Sequence, residues 1–198
     1  MKKLSKRIIG LTGGIATGKT TVSRYLANIH HLPILDADIY ARDAVEANSP
    51  IFQAIKQRYG ENICLENGEL NRQKLGEIIF NDSTEKQWLE SKIHPYVRER
   101  FKQEISQYDQ RILILDIPLL FESKLTHLVT ETWVVYCSYE QQIQRLMARN
   151  SLTEEQAKVR IKSQLPIKEK VKIADIVLDN SSTLEALYKQ INDALKSD

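Results

Sequence analysis

The chain has 198 residues, enough to bury a sizeable core without disulfides or a structural metal. With 42% apolar and 27% charged residues it has the composition of a soluble globular protein, and a formal net charge of +2 is too small to mark a nucleic-acid binder. The two cysteines, Cys64 and Cys137, are far apart and fit neither a disulfide framework nor a Cys/His metal site, so both are expected to be ordinary thiols in a reducing compartment.

The basic start, Met1 to Arg7, leads into an apolar stretch too short for a signal peptide, and no stretch is long enough to span a bilayer, so a cytoplasmic location is expected. Ile8–Leu11 reads as a buried first strand. Val22, Tyr25, Leu26 and Ile29 then recur at helical spacing after Lys19. Pro33–Leu35 is a short second strand. From about Asp43 to Tyr108 the pattern is helical, which predicts a helical insert over 43–108. Ile112–Leu115, Thr132–Tyr136 and Ile176–Leu178 supply three more strands, and Thr183–Lys196 a closing helix. Between them, residues 139–172 are helical, polar and rich in Arg and Lys, like a mobile cover. Apolar strands alternating with amphipathic helices predict an α/β fold with a five-stranded parallel sheet. The nucleotide-binding core of this single domain would be 1–42, 109–138 and 173–198.

Between the first strand and the first helix lies Gly13-Gly14-Ile15-Ala16-Thr17-Gly18-Lys19-Thr20, followed by Thr21. It matches the P-loop pattern G-x-x-x-x-G-K-[ST] in the strand-to-helix setting that the pattern requires. Backbone N–H groups in such a loop point at phosphate oxygens, and the helix N-terminus adds its unpaired donors and its positive dipole end. Lys19 would bring a full charge to the β- and γ-phosphates, and the Thr20 hydroxyl would ligate Mg²⁺. ATP and Mg²⁺ are therefore the expected cofactors.

The motif leaves the P-loop class open, and the other strands narrow it. Leu115-Asp116 is followed by Ile117-Pro118, so the Glu of a motor ATPase is missing, and the Asn-Lys-x-Asp of a guanine site is not found. Asp116 stands where a carboxylate holds the Mg²⁺ shell. Asp36-Ala37-Asp38 follows the second strand, where ligands bind in open α/β sheets. There a carboxylate can orient and deprotonate an acceptor hydroxyl, and the competing reading is a cap on the next helix. Arg145 and Arg149 share one helical face, with Arg160 and Lys162 on the next helix, whose start Thr153 and Gln156 mark as a capping box. They are either phosphoryl-clamping arginines of a closing lid or a solvated basic face. Together these features point to a kinase of the nucleotide-kinase type.

Several stretches together resemble the dephospho-CoA kinase family. They are Leu11–Ile15 leading to Gly18-Lys19; Asp36-Ala37-Asp38 with Ala41-Arg42; His94-Pro95-x-x-Arg98; and Asp116–Glu122. Arg145-x-x-x-Arg149, Gln164 and Ala174–Asn180 continue the likeness almost to the end of the chain. The resemblance implies ATP-dependent phosphorylation of the ribose 3′-hydroxyl of dephospho-CoA, the last step of coenzyme A biosynthesis. It also implies Asp36 as the base, and Asp38, Arg42, His94 and Arg98 as acceptor contacts, the last two within a CoA-binding insert. Arg145 and Arg149 would belong to a lid over 139–172, and Asn180 would lie near the adenine. The family often has Gly and Ser where this chain has Ala16 and Thr17, Asp in place of Asn150, and Gly in place of Ser182. Expected partners are ATP and dephospho-CoA, with no nucleic acid or membrane, and a monomer with at most weak self-association. The alternatives are another small-molecule or nucleoside monophosphate kinase, or a non-catalytic ATP-dependent switch.

Overall fold

A computed structural model describes residues 6–196; Met1–Ser5 of the basic start lie outside the described residues. Five strands form one parallel sheet in the order β2-β3-β1-β4-β5. They are β1 (Arg7–Gly13), β2 (Ile34–Asp36), β3 (Ile112–Asp116), β4 (Glu131–Tyr136) and β5 (Ile176–Asp179). Each contains the run that its apolar residues predict. β1 is central, with Leu11 paired to Asp116 of β3 on one side and to Trp133 of β4 on the other. This register puts the loop after β1 between the ends of the two most buried neighbouring strands.

Side-chain alternation sends Ile9 and Leu11 to one face of the sheet. There they join Ile114, Trp133, Val135 and Leu178 under α1 (Lys19–His30) and the C-terminal helix Leu184–Lys196, which contribute Val22, Leu26, Leu187 and Ile191. Each such aliphatic side chain adds about 1.5–3 kcal/mol on burial. Arg7 locks the base of this layer. Its guanidinium pairs with Glu131 and donates to the carbonyls of Ala194 (2.8 Å) and Leu195 (3.0 Å), near the end of the C-terminal helix. A cation suits that site, because the last helical carbonyls lack intrahelical donors.

The chain divides into two compact units, Met1–Leu35 with Tyr108–Asp198, and Asp36–Gln107. The second unit holds α2 (Ala37–Asp43), α3 (Pro50–Tyr59), α4 (Arg72–Asn81) and α5 (Ser83–Gln107) around Phe52, Ile55, Ile63, Leu75 and Leu89. The Ser49 hydroxyl caps α3 ahead of Pro50, and Asn71 caps α4. The unit begins earlier than residue 43 because Tyr40 of α2 packs edge-on to Phe101 of α5, with ring centroids 5.1 Å apart. Trp88 and Tyr96 pack against the unit's core.

Three helices follow β4 in the first unit: α6 (Tyr139–Asn150), α7 (Glu154–Lys162) and α8 (Ile167–Lys172); the C-terminal helix is α9. Thr153 and Gln156 form the expected capping box of α7, and Ser138 and Gln141 form a second one on α6. Polar as this segment is, it has a small core of Ile143, Leu146 and Ala157, packed with Ile15 and Ala16. Among the described residues no helix is long and apolar enough to cross a membrane.

Candidate active site

Each carbonyl of the loop Gly13–Gly18 has a donor. Lys170 Nζ reaches the Gly13 oxygen at 3.1 Å. The Thr17 N–H and hydroxyl reach that of Gly14 at 3.2 and 2.9 Å. Gln142 Nε2 donates to Ile15 at 2.7 Å, and the Cys137 thiol lies 3.9 Å from the Ala16 oxygen. Asn180 Nδ2 donates to Thr17 at 2.8 Å, with Arg145 adding a longer contact of 3.4 Å. The N–H groups of Thr21 and Val22 take the Gly18 carbonyl. With the carbonyls bonded, no described residue accepts from the N–H groups of Ala16, Gly18, Lys19 and Thr20. Inward donors at a helix N-terminus form an anion-binding nest.

A Cβ on any of Gly13, Gly14 and Gly18 would come within 2.6 Å of a neighbouring atom, and Gly18 also needs its positive φ. Gly18 has φ 99°, and a side chain there would collide with the Asn180 amide. A methyl group on Gly14 would stand 2.5 Å from Gln142 Nε2. Ala16 sits at φ 62°, where an L side chain is strained. Ser182 keeps an ordinary negative φ.

Lys19 opens α1 and forms an ion pair with Asp116, the buried last residue of β3. The Thr20 hydroxyl is on the exposed first turn of α1. Thr20 and Asp116 offer the hard oxygens that Mg²⁺ prefers. Among the described residues no group of three acidic, His or Cys side chains gathers to cage a metal. That sparse donor set fits an ion that draws most of its ligands from phosphate and water.

Arg145 is placed differently from a free clamp. Its guanidinium donates to the carbonyls of Asn180 (2.9 Å) and Thr17, supporting the loop from outside. Arg149, one turn further on, is exposed and donates to Asn150. Asn180 itself is buried, with its amide committed to Thr17. Burial raises the Cys137 thiol above its ordinary pKa, so the sulfur is a protonated packing atom at neutral pH.

Within the helical unit, Asp36 caps α2 by accepting the Asp38 N–H on Oδ1 at 2.8 Å. The capping alternative is therefore real, yet it uses one carboxylate oxygen and leaves Oδ2 open. Asp38, Arg42 and Arg98 are exposed, and His94 is half-buried. The Arg98 Nε donates back to the His94 carbonyl at 3.3 Å, one turn below on α5.

A model of the dephospho-CoA kinase family matches residues 7–186. The chain belongs to the dephospho-CoA kinase family. It is 65% identical to the dephospho-CoA kinase of Trichormus variabilis, over 97% of this chain and 98% of that one. It is 56% identical to the dephospho-CoA kinase of Synechocystis, over 94% and 93%. Among solved structures, the protein TT1252 from Thermus thermophilus superposes with a TM-score of 0.84 at 34% identity, over 96% of this chain and 97% of that one. The dephospho-CoA kinase from Campylobacter jejuni does so at 0.73 and 28%, over 96% of each chain. A shikimate kinase from Bacteroides thetaiotaomicron, at 12% identity and a TM-score of 0.53, shares the fold alone.

Three side chains around the loop carried no role in the sequence. Gln142 and Lys170 sit in polar helical stretches that read as solvent-facing, yet both are buried. Gln164 was visible only as a feature of the resemblance; its Oε1 accepts the Ile15 N–H at 2.8 Å. Neither spacing nor periodicity distinguishes them from surface residues, because their burial depends on how α6 and α8 dock.

Proposed function

We propose that this chain transfers the γ-phosphoryl group of ATP to the ribose 3′-hydroxyl of dephospho-CoA, giving CoA and ADP. The observation that carries it is the loop whose every carbonyl is already bonded, in a chain 65% identical to a dephospho-CoA kinase over 97% of its length.

The N–H groups of Ala16, Gly18, Lys19 and Thr20, with Gly13, Gly14, Ile15, Thr17 and Thr21 shaping the loop and the first turn, cradle the triphosphate. Lys19 exchanges part of its Asp116 contact for the β- and γ-phosphates. Thr20, and Asp116 less directly, would hold Mg²⁺, which would supply Lewis-acid neutralisation of the negative charge on the phosphates. Asp36 is the last residue of β2, and in open α/β sheets ligands bind beyond the carboxyl ends of the strands. Its Oδ2 takes the proton of the acceptor hydroxyl as that oxygen bonds to the γ-phosphorus. The bond to the β–γ bridging oxygen breaks in line, and ADP leaves with the electron pair. Asp38, Arg42, His94 and Arg98 hold the acceptor. Residues 139–172 act as the lid, from which Arg149 reaches the transferring group while Arg145 keeps the loop in shape; Asn180 lines the adenine side. We place this activity in the cytoplasm, in a monomer.

The test is ADP release coupled to a reporter. Dephospho-CoA should release ADP stoichiometrically with CoA, whereas AMP, nucleosides and shikimate should release none. Equal turnover with AMP, or ADP release independent of any acceptor, would overturn the reading.

A further inference from the structure

Lys170 is a lysine with no exposed surface, in a protein whose other described cations keep at least part of their side chain in solvent. Its ammonium has three N–H donors and three acceptors in reach: the carbonyls of Gly13 (3.1 Å) and Pro118 (3.2 Å), and Glu122 Oε1 (2.8 Å). All three lie on segments that border the phosphate site. Gly13 is the first residue of the P-loop, and Pro118 and Glu122 belong to the loop that leaves Asp116. The Pro118 carbonyl is shared with the buried Thr12 hydroxyl at 3.0 Å. Glu122 Oε1 also accepts the Leu165 N–H at 3.1 Å, and the adjacent Gln164 accepts the Ile15 N–H. The bonds close a ring: Gly13 to Lys170, Lys170 to Glu122, Glu122 to Leu165, and Gln164 back to Ile15.

Burying an ammonium costs several kcal/mol before its partners compensate, and a well-packed apolar side chain usually serves stability as well. What the charge adds is geometry. A lysine here fixes two backbone carbonyls and one carboxylate at once. It ties the connection between α7 and α8 to the mouth of the phosphate nest. We propose that Lys170 is a positioning residue for phosphoryl transfer, acting through the Gly13 carbonyl and the Glu122–Leu165 link. It holds the P-loop donors aimed inward and Gln164 seated on Ile15. The proposal rests on the kinase reading above, but it also predicts nucleotide binding, which can be measured without an acceptor.

The experiment compares Lys170→Met, the double variant Lys170→Met/Glu122→Met, and Gln164→Ala. A fluorescent ATP analogue is titrated, and kcat and KM are measured for ATP and dephospho-CoA. Lys170→Met should weaken analogue binding and raise KM for ATP by about 10- to 100-fold, the scale of losing a charged hydrogen bond, with KM for dephospho-CoA unchanged. The double variant removes the stranded carboxylate, so its Tm should recover while the weak nucleotide binding persists. If affinity recovers together with Tm, Lys170 is only a stability element and the proposal fails. Should Lys170→Met and the double variant both fail to fold, Gln164→Ala decides, because its half-buried side chain can be lost without stranding a charge. A several-fold loss of nucleotide affinity is expected, and wild-type affinity overturns the proposal. Intact analogue binding changes together with no dephospho-CoA turnover in any variant or the wild type would count against the kinase substrate alone.

Discussion

The ammonium of Lys19, first residue of α1, is paired with the carboxylate of Asp116, last residue of β3. Asp116 is buried and the Lys19 side chain is 18% exposed, so the pair sits where screening is low. Asp116→Asn keeps an acceptor for Lys19 but removes the charge. It should cost about 1–3 kcal/mol, read as a Tm lower by roughly 2–10 °C. It should also lower kcat by about 100-fold or more, as loss of a preorganised charge does. Wild-type kcat in this variant would remove Asp116 from the phosphoryl-transfer site.

Asp36→Asn separates the two jobs of that residue. Asn caps helices as well as Asp does, so the Asp38 N–H keeps its partner and Tm should hold within a few degrees. The base is lost, so kcat should fall about 10²- to 10⁴-fold, with the Kd for ATP nearly unchanged. A fall in Tm with kcat preserved would leave Asp36 a cap and nothing more.

Ala16 holds φ 62° in the P-loop. The left-handed conformation costs a non-glycine residue about 1–2 kcal/mol, and Gly returns part of that through its freer unfolded chain. Ala16→Gly should therefore raise stability by about 0.5–1 kcal/mol without weakening nucleotide binding. Thermal melts with and without ATP check this; a lower Tm would mean the methyl group packs usefully against α6.

In the helical unit Glu85 receives Arg58 at 2.6 and 2.7 Å, and the Tyr59 hydroxyl donates to the same carboxylate. The Arg58 hydrogen bonds first, then that of Tyr59, hold its pKa down to about 2 from an ordinary 4.5. A lowered carboxylate pKa stabilises the fold above the ordinary value and is lost as pH falls through the folded one. Glu85→Gln should thus melt below wild type at pH 6–8, and the gap should close between about pH 4.5 and 2. A gap that stays constant from pH 6 to pH 3 would show that the carboxylate charge contributes nothing.

Part of the candidate site is legible in the sequence. Gly13–Thr20 is a contiguous pattern whose spacing encodes its geometry, and the apolar runs around it fixed which strand precedes and which helix follows. Asp116 was legible because a strand end is itself a position in a parallel sheet. Arg145 was harder. An i, i+4 basic pair says only that two side chains share a face, and which face meets the loop depends on the docking of α6. Lys170, flanked by Lys168 and Lys172, reads as a solvated charge. Its burial arises from three segments far apart in sequence, meeting at Gly13, Pro118 and Glu122. The helical pattern starts at about residue 43 and the compact unit at Asp36; the contact that ties α2 to α5, Tyr40 on Phe101, joins residues far apart in sequence that no local pattern links.

The central claim is that one alcohol of one acceptor receives the phosphoryl group. It is tested most directly by measuring ATP-dependent ADP release with dephospho-CoA and with its 3′-deoxyribose analogue, side by side. Turnover with dephospho-CoA and none with the 3′-deoxy compound, which should instead act as a competitive inhibitor, is the predicted result. Comparable ADP release from both would contradict it.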